Sequence, residues 1–166
     1  MTAFEAPLDL GTDRVRPEWI DYNGHMNVAY YVLAFDYATD RLYDRLGLGH
    51  AYFAVSGCST FTLESHVSYL QEVREGAALR FTGQLLDHDH KRIHWFSSMY
   101  HAGEGYLAAT IEFLTMHVDM RARLSAPFPA AAMTTLAALR AAHAGLPRPE
   151  QAGRAIGIRR ASPPIT

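Results

Sequence analysis

The strongest constraint on the fold is a single change of hydrophobic period along the chain. Val28, Tyr31, Val32, Phe35, Ala38, Leu42 and Leu46 recur at spacings of three and four, which lines one face of an α-helix. Gly47 supplies a C-terminal stop. Asn27 sits at the N-cap position, where its side-chain oxygen can accept a hydrogen bond from a first-turn amide. After this long helix the pattern changes. Phe61 to Val73, Ala78 to Leu86, Ile93 to His101 and Tyr106 to Val118 are rich in β-branched and aromatic residues. The breaks between them, Arg74-Glu75-Gly76, Asp87-His88-Asp89-His90 and Gly103-Glu104-Gly105, predict a strand meander. Thr12 to Arg16 alternates and stops at Pro17, as a short edge strand does. A second helical stretch from about Ala130 to Ala144 ends at Gly145-Leu146-Pro147. The expectation is an α+β architecture, a long central helix on one face of an antiparallel sheet plus a C-terminal helix. Imperfect alternation around Val67, Tyr69 and Gln71 leaves the buried face of that strand unassigned.

The 166 residues suit one domain over 1–166, with a core at about 12–145 and a Pro- and Arg-rich tail at 146–166 that is expected to be mobile. A net charge of -2 without any run of lysine and arginine argues against a nucleic-acid partner. The longest apolar stretch, Val28 to Phe35, is far short of the roughly 20 residues that cross a bilayer, so no membrane association is expected. Acidic residues near the N-terminus and a single cysteine, Cys58, suggest a cytoplasmic protein. Cys58 lies in a Ser-Gly-Cys-Ser segment without a local activator and reads as an inert small residue in a loop.

Chemistry concentrates at Asp21-Tyr22-Asn23-Gly24-His25-Met26-Asn27. A carboxylate, an amide and an imidazole alternate there just before a helix N-terminus, whose partial positive charge and free N–H groups suit a developing oxyanion. Gly24 allows a close backbone approach. Residue by residue, simpler readings also exist: Asp21 and Asn23 as turn formers, Asn27 as a cap, His25 as a loop histidine. His88, His90 and His94 form a second cluster near Asp87 and Asp89 with the spacing of metal ligands. It lies in a polar turn, and no metal or other cofactor is expected.

The segment Trp19-Ile20-Asp21-Tyr22-Asn23-Gly24-His25-Met26-Asn27-Val28-Ala29-Tyr30-Tyr31 resembles the signature of hot-dog fold thioesterases related to 4-hydroxybenzoyl-CoA thioesterase. Phe61-Thr62-Leu63-Glu64-Ser65-His66, Lys91-Arg92-Ile93-His94, Met116-His117-Val118-Asp119-Met120 and Leu146-Pro147-Arg148-Pro149-Glu150 further resemble the betainyl-CoA thioesterases of carnitine breakdown. The resemblance spans about Thr12 to Gly157. It implies a helix wrapped by an antiparallel sheet, a homodimer or higher homo-oligomer, an acyl-CoA substrate bound at the subunit interface, and hydrolysis to free acid and CoA. Some relatives carry a fused carnitine dehydrogenase. This chain has no Gly-x-Gly-x-x-Gly unit, so no NAD site is expected.

The resemblance also assigns roles. It places the catalytic carboxylate at Asp21, either as general base or as nucleophile. Asn23 and His25 match the Asp-x-Asn-x-His arrangement of plant acyl-carrier-protein thioesterases, which add an acidic residue from a later strand, here Glu64. Gly24, Asn27, Tyr30 and Trp19 are expected at the substrate, and Lys91 and Arg92 at the CoA phosphates. A betainyl group carries a quaternary ammonium, for which Trp19, Tyr22, Tyr30, Tyr31 and Trp95 offer aromatic faces. Three other readings compete: a hot-dog hydratase or dehydratase, a non-catalytic acyl-CoA binding module, and a metal protein built on the histidine cluster.

Overall fold

A computed structural model describes residues 4–158. The strands are β1 (Leu8–Arg14), β2 (Cys58–Tyr69), β3 (Ala78–His88), β4 (Arg92–His101), β5 (Leu107–Asp119) and β6 (Leu124–Ser125), and the helices are α1 (Val28–Leu46), α2 (His50–Ser56) and α3 (Ala130–Ala142). All strands join one antiparallel sheet of order β1-β3-β4-β5-β2, with β6 turning back on β5. Helix α1 packs against this sheet, as the hot-dog resemblance implies. Its buried stripe, Tyr31, Ala34, Phe35, Ala38, Leu42 and Leu46, meets the inward residues Phe81, Ile93, Trp95 and Met99 in one apolar core. No helix among the described residues is long and apolar enough to cross a membrane.

Helix α1 has the ends that its sequence predicts. Asn27 Oδ1 accepts from the Ala29 N–H at 3.0 Å, and Gly47 closes the helix in the left-handed region at φ 68. Strands β3 to β5 fall within a residue or two of their predicted bounds. The edge strand β1 begins earlier than predicted and pairs with β3 from Leu8 onward.

Three expectations change. Helix α2 was not predicted, because it is only seven residues long and none of them is fully buried. Cys58 is not in a loop but opens β2, opposite Asp119. The tail is anchored over 147–153: Gln84 Nε2 donates to Pro147 O at 3.3 Å and the Gly153 N–H donates to Glu112 at 2.6 Å, which lays this segment over the outer face of the sheet. The rest of the tail, 159–166, lies outside the described residues.

A buried histidine ties the ends of the fold together. His143 Nδ1 accepts from the Leu85 N–H (2.9 Å), so Nε2 carries the proton and donates to Glu5 O (3.0 Å). Burial pushes its pKa below the ordinary histidine value.

Candidate active site

The loop before α1 is closed by its own backbone. Ile20 bridges Met26, the Asp21 N–H donates to His25 O (3.1 Å), the Gly24 N–H donates to Asp21 O (3.0 Å), and the Asn27 N–H donates to Trp19 O (2.9 Å). Gly24 turns the chain at φ 80, a conformation that side chains with a Cβ resist. The segment following β2 clamps the loop from behind. The Met26 N–H donates to Val73 O (2.9 Å), the Val73 N–H donates to the Tyr31 hydroxyl (3.3 Å), and the Tyr69 hydroxyl donates to Val28 O (3.2 Å).

These constraints hold the Asp21 carboxylate at the start of α1. Its Oδ1 accepts from the Asn23 N–H (2.8 Å) and its Oδ2 from Asn27 Nδ2 (3.3 Å). At the helix start the Ala29 N–H goes to Asn27 Oδ1 and the Tyr30 N–H to Asn27 O. The Val28 N–H has no acceptor among the described residues, and Val28 is exposed. The Asp21 carboxylate is thus held, through Asn27, at a helix start that keeps one dipole-backed donor without an acceptor among the described residues.

The other expected residues divide. Asn23 contributes its backbone N–H, while its side chain stays exposed. His25 is half-buried, with Nε2 3.9 Å from Glu72 Oε2. Trp19 is buried and stacks on Tyr30, centroids 5.7 Å apart, while the Arg16 guanidinium sits 4.6 Å from the Trp19 ring centroid. Trp95 is a core residue whose indole N–H donates to Ser97, Tyr31 is buried, and Tyr22 is 97% exposed. Of the five aromatic residues expected near a quaternary ammonium, Trp19, Tyr31 and Trp95 are therefore buried, Tyr30 is partly buried and Tyr22 faces solvent.

Glu64 does not join Asp21 within the protomer. A bulge at Leu63 shifts the register of β2 against β5. Thr60, Thr62 and Ser65 therefore point toward α1, while Glu64 and His66 share the opposite face with His94 and Glu112. Lys91 and Arg92 lie at the β3–β4 turn, the far end of β3 from the Asp21 loop. Arg92 is engaged by Asp89 (2.6 Å), whose carboxyl is held down at about 2 by Lys91 and Arg92, overriding the effect of burial. Lys91 Nζ donates to Ser125 Oγ at 3.1 Å. The histidine cluster is dispersed: His94 pairs with Glu112 at 2.7 Å, and no group of three metal-ligating side chains occurs among the described residues.

Residues 69–73, which hold the loop, were missed because nothing in the sequence marks so distant a contact. Also unanticipated is an open cavity of about 770 Å³ between α1 and the β2–β5 side of the sheet. Asp36, Asp40 and Asp44 line it from α1 at four-residue spacing, with Tyr43 and Phe53 beside them. Burial, and then the neighbouring Asp36 and Asp44 carboxylates, push the Asp40 pKa up.

The chain matches the thioesterase-like superfamily over residues 15–139. It is 42% identical over 165 residues to a betainyl-CoA thioesterase of Pseudomonas aeruginosa, covering 99% of this chain and 97% of that protein. It is 40% identical to an L-carnitine dehydrogenase/betainyl-CoA thioesterase of Rhizobium meliloti, covering 93% of this chain and 31% of that larger protein. Among solved structures, a Staphylococcus aureus protein in complex with CoA superimposes with a TM-score of 0.86 at 30% identity, over 95% of this chain and 100% of that one. A putative thioesterase of Pseudomonas putida superimposes with a TM-score of 0.81 at 36% identity, over 94% and 99%.

Proposed function

Since this chain belongs to the thioesterase-like superfamily, we propose that it hydrolyses an acyl-CoA thioester to the free acid and CoA, with betainyl-CoA as the substrate. The carrying observation is the Asp21 carboxylate, fixed by the Asn23 N–H and Asn27 Nδ2 beside the free Val28 N–H. The acyl preference rests on the Pseudomonas aeruginosa relative.

In this reading the thioester carbonyl oxygen lies on the Val28 N–H, at the positive end of α1, where charge develops during attack. Both Asp21 oxygens already accept hydrogen bonds, which orients the carboxylate and tempers it as a nucleophile. It acts as general base, taking a proton from the attacking water. The tetrahedral intermediate collapses with loss of a thiolate whose pKa is near roughly 8.5 by analogy with cysteine, a leaving group that needs little acid help. Asn23, Gly24 and Asn27 shape the carboxylate and the approach to it, and His25 lines the Glu72 side of the loop.

The functional unit in this reading is a homodimer. Strand β2 ends the sheet with 12 residues whose outer edge has no partner among the described residues, and Phe61 and Leu63 on it are 44% and 50% exposed. A long unprotected edge of this kind pairs readily with another strand, and a second copy supplies one. Lys91 and Arg92 contact the CoA phosphates from that second copy.

A thiol-release assay over a panel of acyl-CoAs that includes betainyl-CoA, repeated with Asp21→Asn, tests the reading. Release by wild type and not by the variant is expected. No release from any ester would leave a hydratase or a binding protein as the better description.

A further inference from the structure

We infer that Glu72 is a positioning residue of the reaction, acting by fixing the tautomer of His25, and that His25 holds the attacking water together with Asp21. This rests on the hydrolytic reading above and gives the loop a second acceptor for that water.

The backbone pairing of the loop sets the arrangement. Ile20 and Met26 form an antiparallel bridge, flanked by the hydrogen bonds from the Asp21 N–H to His25 O and from the Asn27 N–H to Trp19 O. Asp21 and His25 are therefore the next pair of the same ribbon. The side chains of such a pair share one face, with Cβ atoms about 4.5–5.5 Å apart, and successive pairs alternate between faces. Met26 is buried and Ile20 packs on the core, so Asp21 and His25 point the other way. Both are partly exposed.

Glu72 reaches this pair from the segment after β2, and its backbone is fixed. The Tyr106 hydroxyl donates to Glu72 O at 2.9 Å, and the next residue, Val73, accepts from the Met26 N–H of the loop. The carboxylate is divided between two partners. Arg74 Nη2 donates to Oε1 at 2.9 Å, while Oε2 stands 3.9 Å from His25 Nε2. With side chains 34% and 49% exposed, His25 and Glu72 stabilise the fold little through this contact. Its consequence is a choice of tautomer. A carboxylate accepts only, so it favours neutral His25 with the hydrogen on Nε2 and leaves the lone pair on Nδ1. A water that donates one hydrogen to Asp21 and the other to His25 Nδ1 turns an oxygen lone pair toward the thioester carbonyl. As the new C–O bond forms, Asp21 takes its proton, and the His25 ring ends the step as it began. Catalytic contacts of this length shorten once substrate is bound.

The test measures kcat and KM for wild type, Glu72→Ala, Glu72→Gln, His25→Gln and the double variant His25→Gln/Glu72→Ala, on the acyl-CoA that wild type cleaves fastest. The Glu72 backbone contacts survive these substitutions, so the variants should fold. Glu72→Ala is expected to lower kcat about tenfold with KM within about twofold of wild type. Glu72→Gln keeps an acceptor oxygen and is expected to stay within about threefold in kcat. In the His25→Gln background, Glu72→Ala is expected to cost nothing further, the non-additivity of residues that act as one unit. An unchanged kcat in Glu72→Ala, or a loss of the same size with and without His25, overturns the inference and leaves hydrolysis at Asp21 standing. A wild type that cleaves no acyl-CoA overturns the hydrolytic reading instead, and the ring ¹⁵N shifts of His25 then decide its pairing with Glu72. Shifts of the Nε2–H tautomer in wild type that move toward a mixture in Glu72→Ala support the pairing, and identical shifts in the two proteins overturn it.

Discussion

Asn27 joins the Asp21 carboxylate to the end of α1 with a single amide: its Nδ2 stands 3.3 Å from Asp21 Oδ2 while its Oδ1 accepts from the Ala29 N–H at 3.0 Å. The two ends can be separated by substitution. Asp at this position still caps the helix but sets a second carboxylate against the first. Asn27→Asp is expected to keep its melting temperature within a few degrees and to lose at least tenfold in kcat/KM, because it replaces the amide donor to Asp21 Oδ2 with an acceptor. Asn27→Ala removes both functions and should cost about 1 kcal/mol of stability as well. Chemical denaturation alongside kinetics distinguishes the two variants.

Asp21→Asn retains an acceptor for the Asn23 N–H, so the loop should survive. Loss of the base predicts a fall in kcat of about 10²–10⁴-fold with an unchanged circular dichroism spectrum.

General-base action by Asp21 has an isotopic signature. Single-turnover hydrolysis in H2¹⁸O should place the label in the released acid and none in the Asp21 carboxylate. Mass spectrometry of the peptide containing Asp21 makes the check, and label found there would establish a covalent anhydride opened at the Asp21 carbonyl and overturn the general-base assignment.

His143 predicts how stability varies with pH. Protonation would place a hydrogen on Nδ1, where the Leu85 N–H already points. The folded-state pKa is lowered by burial, so the unfolded chain binds the proton more readily. The contribution is complete above the unfolded value near 6.5 and is lost as pH falls below it toward the folded-state pKa. Urea midpoints should drop between pH 7.5 and pH 5.5, and His143→Gln should flatten that dependence.

Gly83 lies beneath the Trp95 indole, where a Cβ would overlap the ring. Because Trp95 is fully buried it has little room to retreat, and Gly83→Ala should lose about 1–3 kcal/mol, read as a lowered melting temperature.

Local signals were legible in the chain and distant ones were not. Helix α1 could be read because its stripe, its Asn27 cap and its Gly47 stop agree. The face of β2 could not, because the Leu63 bulge inverts the alternation partway along, and with it went the placement of Glu64. The site followed the same rule. Asp21, Asn23 and Asn27 interact within seven residues, and their spacing announces it. Tyr69, Glu72 and Val73 reach the loop only through the folded sheet. Asp36, Asp40 and Asp44 show a visible four-residue spacing, yet on a helix that pattern reads as a solvated face until β2 and β5 supply the opposite wall.

The hydrogen bond between His143 and Glu5 O spans 138 positions of the chain, and β1 pairs with a strand that begins only at Ala78. Contacts of such sequence separation slow the search for the native state. During synthesis the first strand has no sheet to join until β3 has emerged, and the early helix α1 waits with its apolar stripe uncovered. The protein should therefore fold late and nearly all at once, after most of its length has left the ribosome, with the greatest exposure to aggregation just before that point.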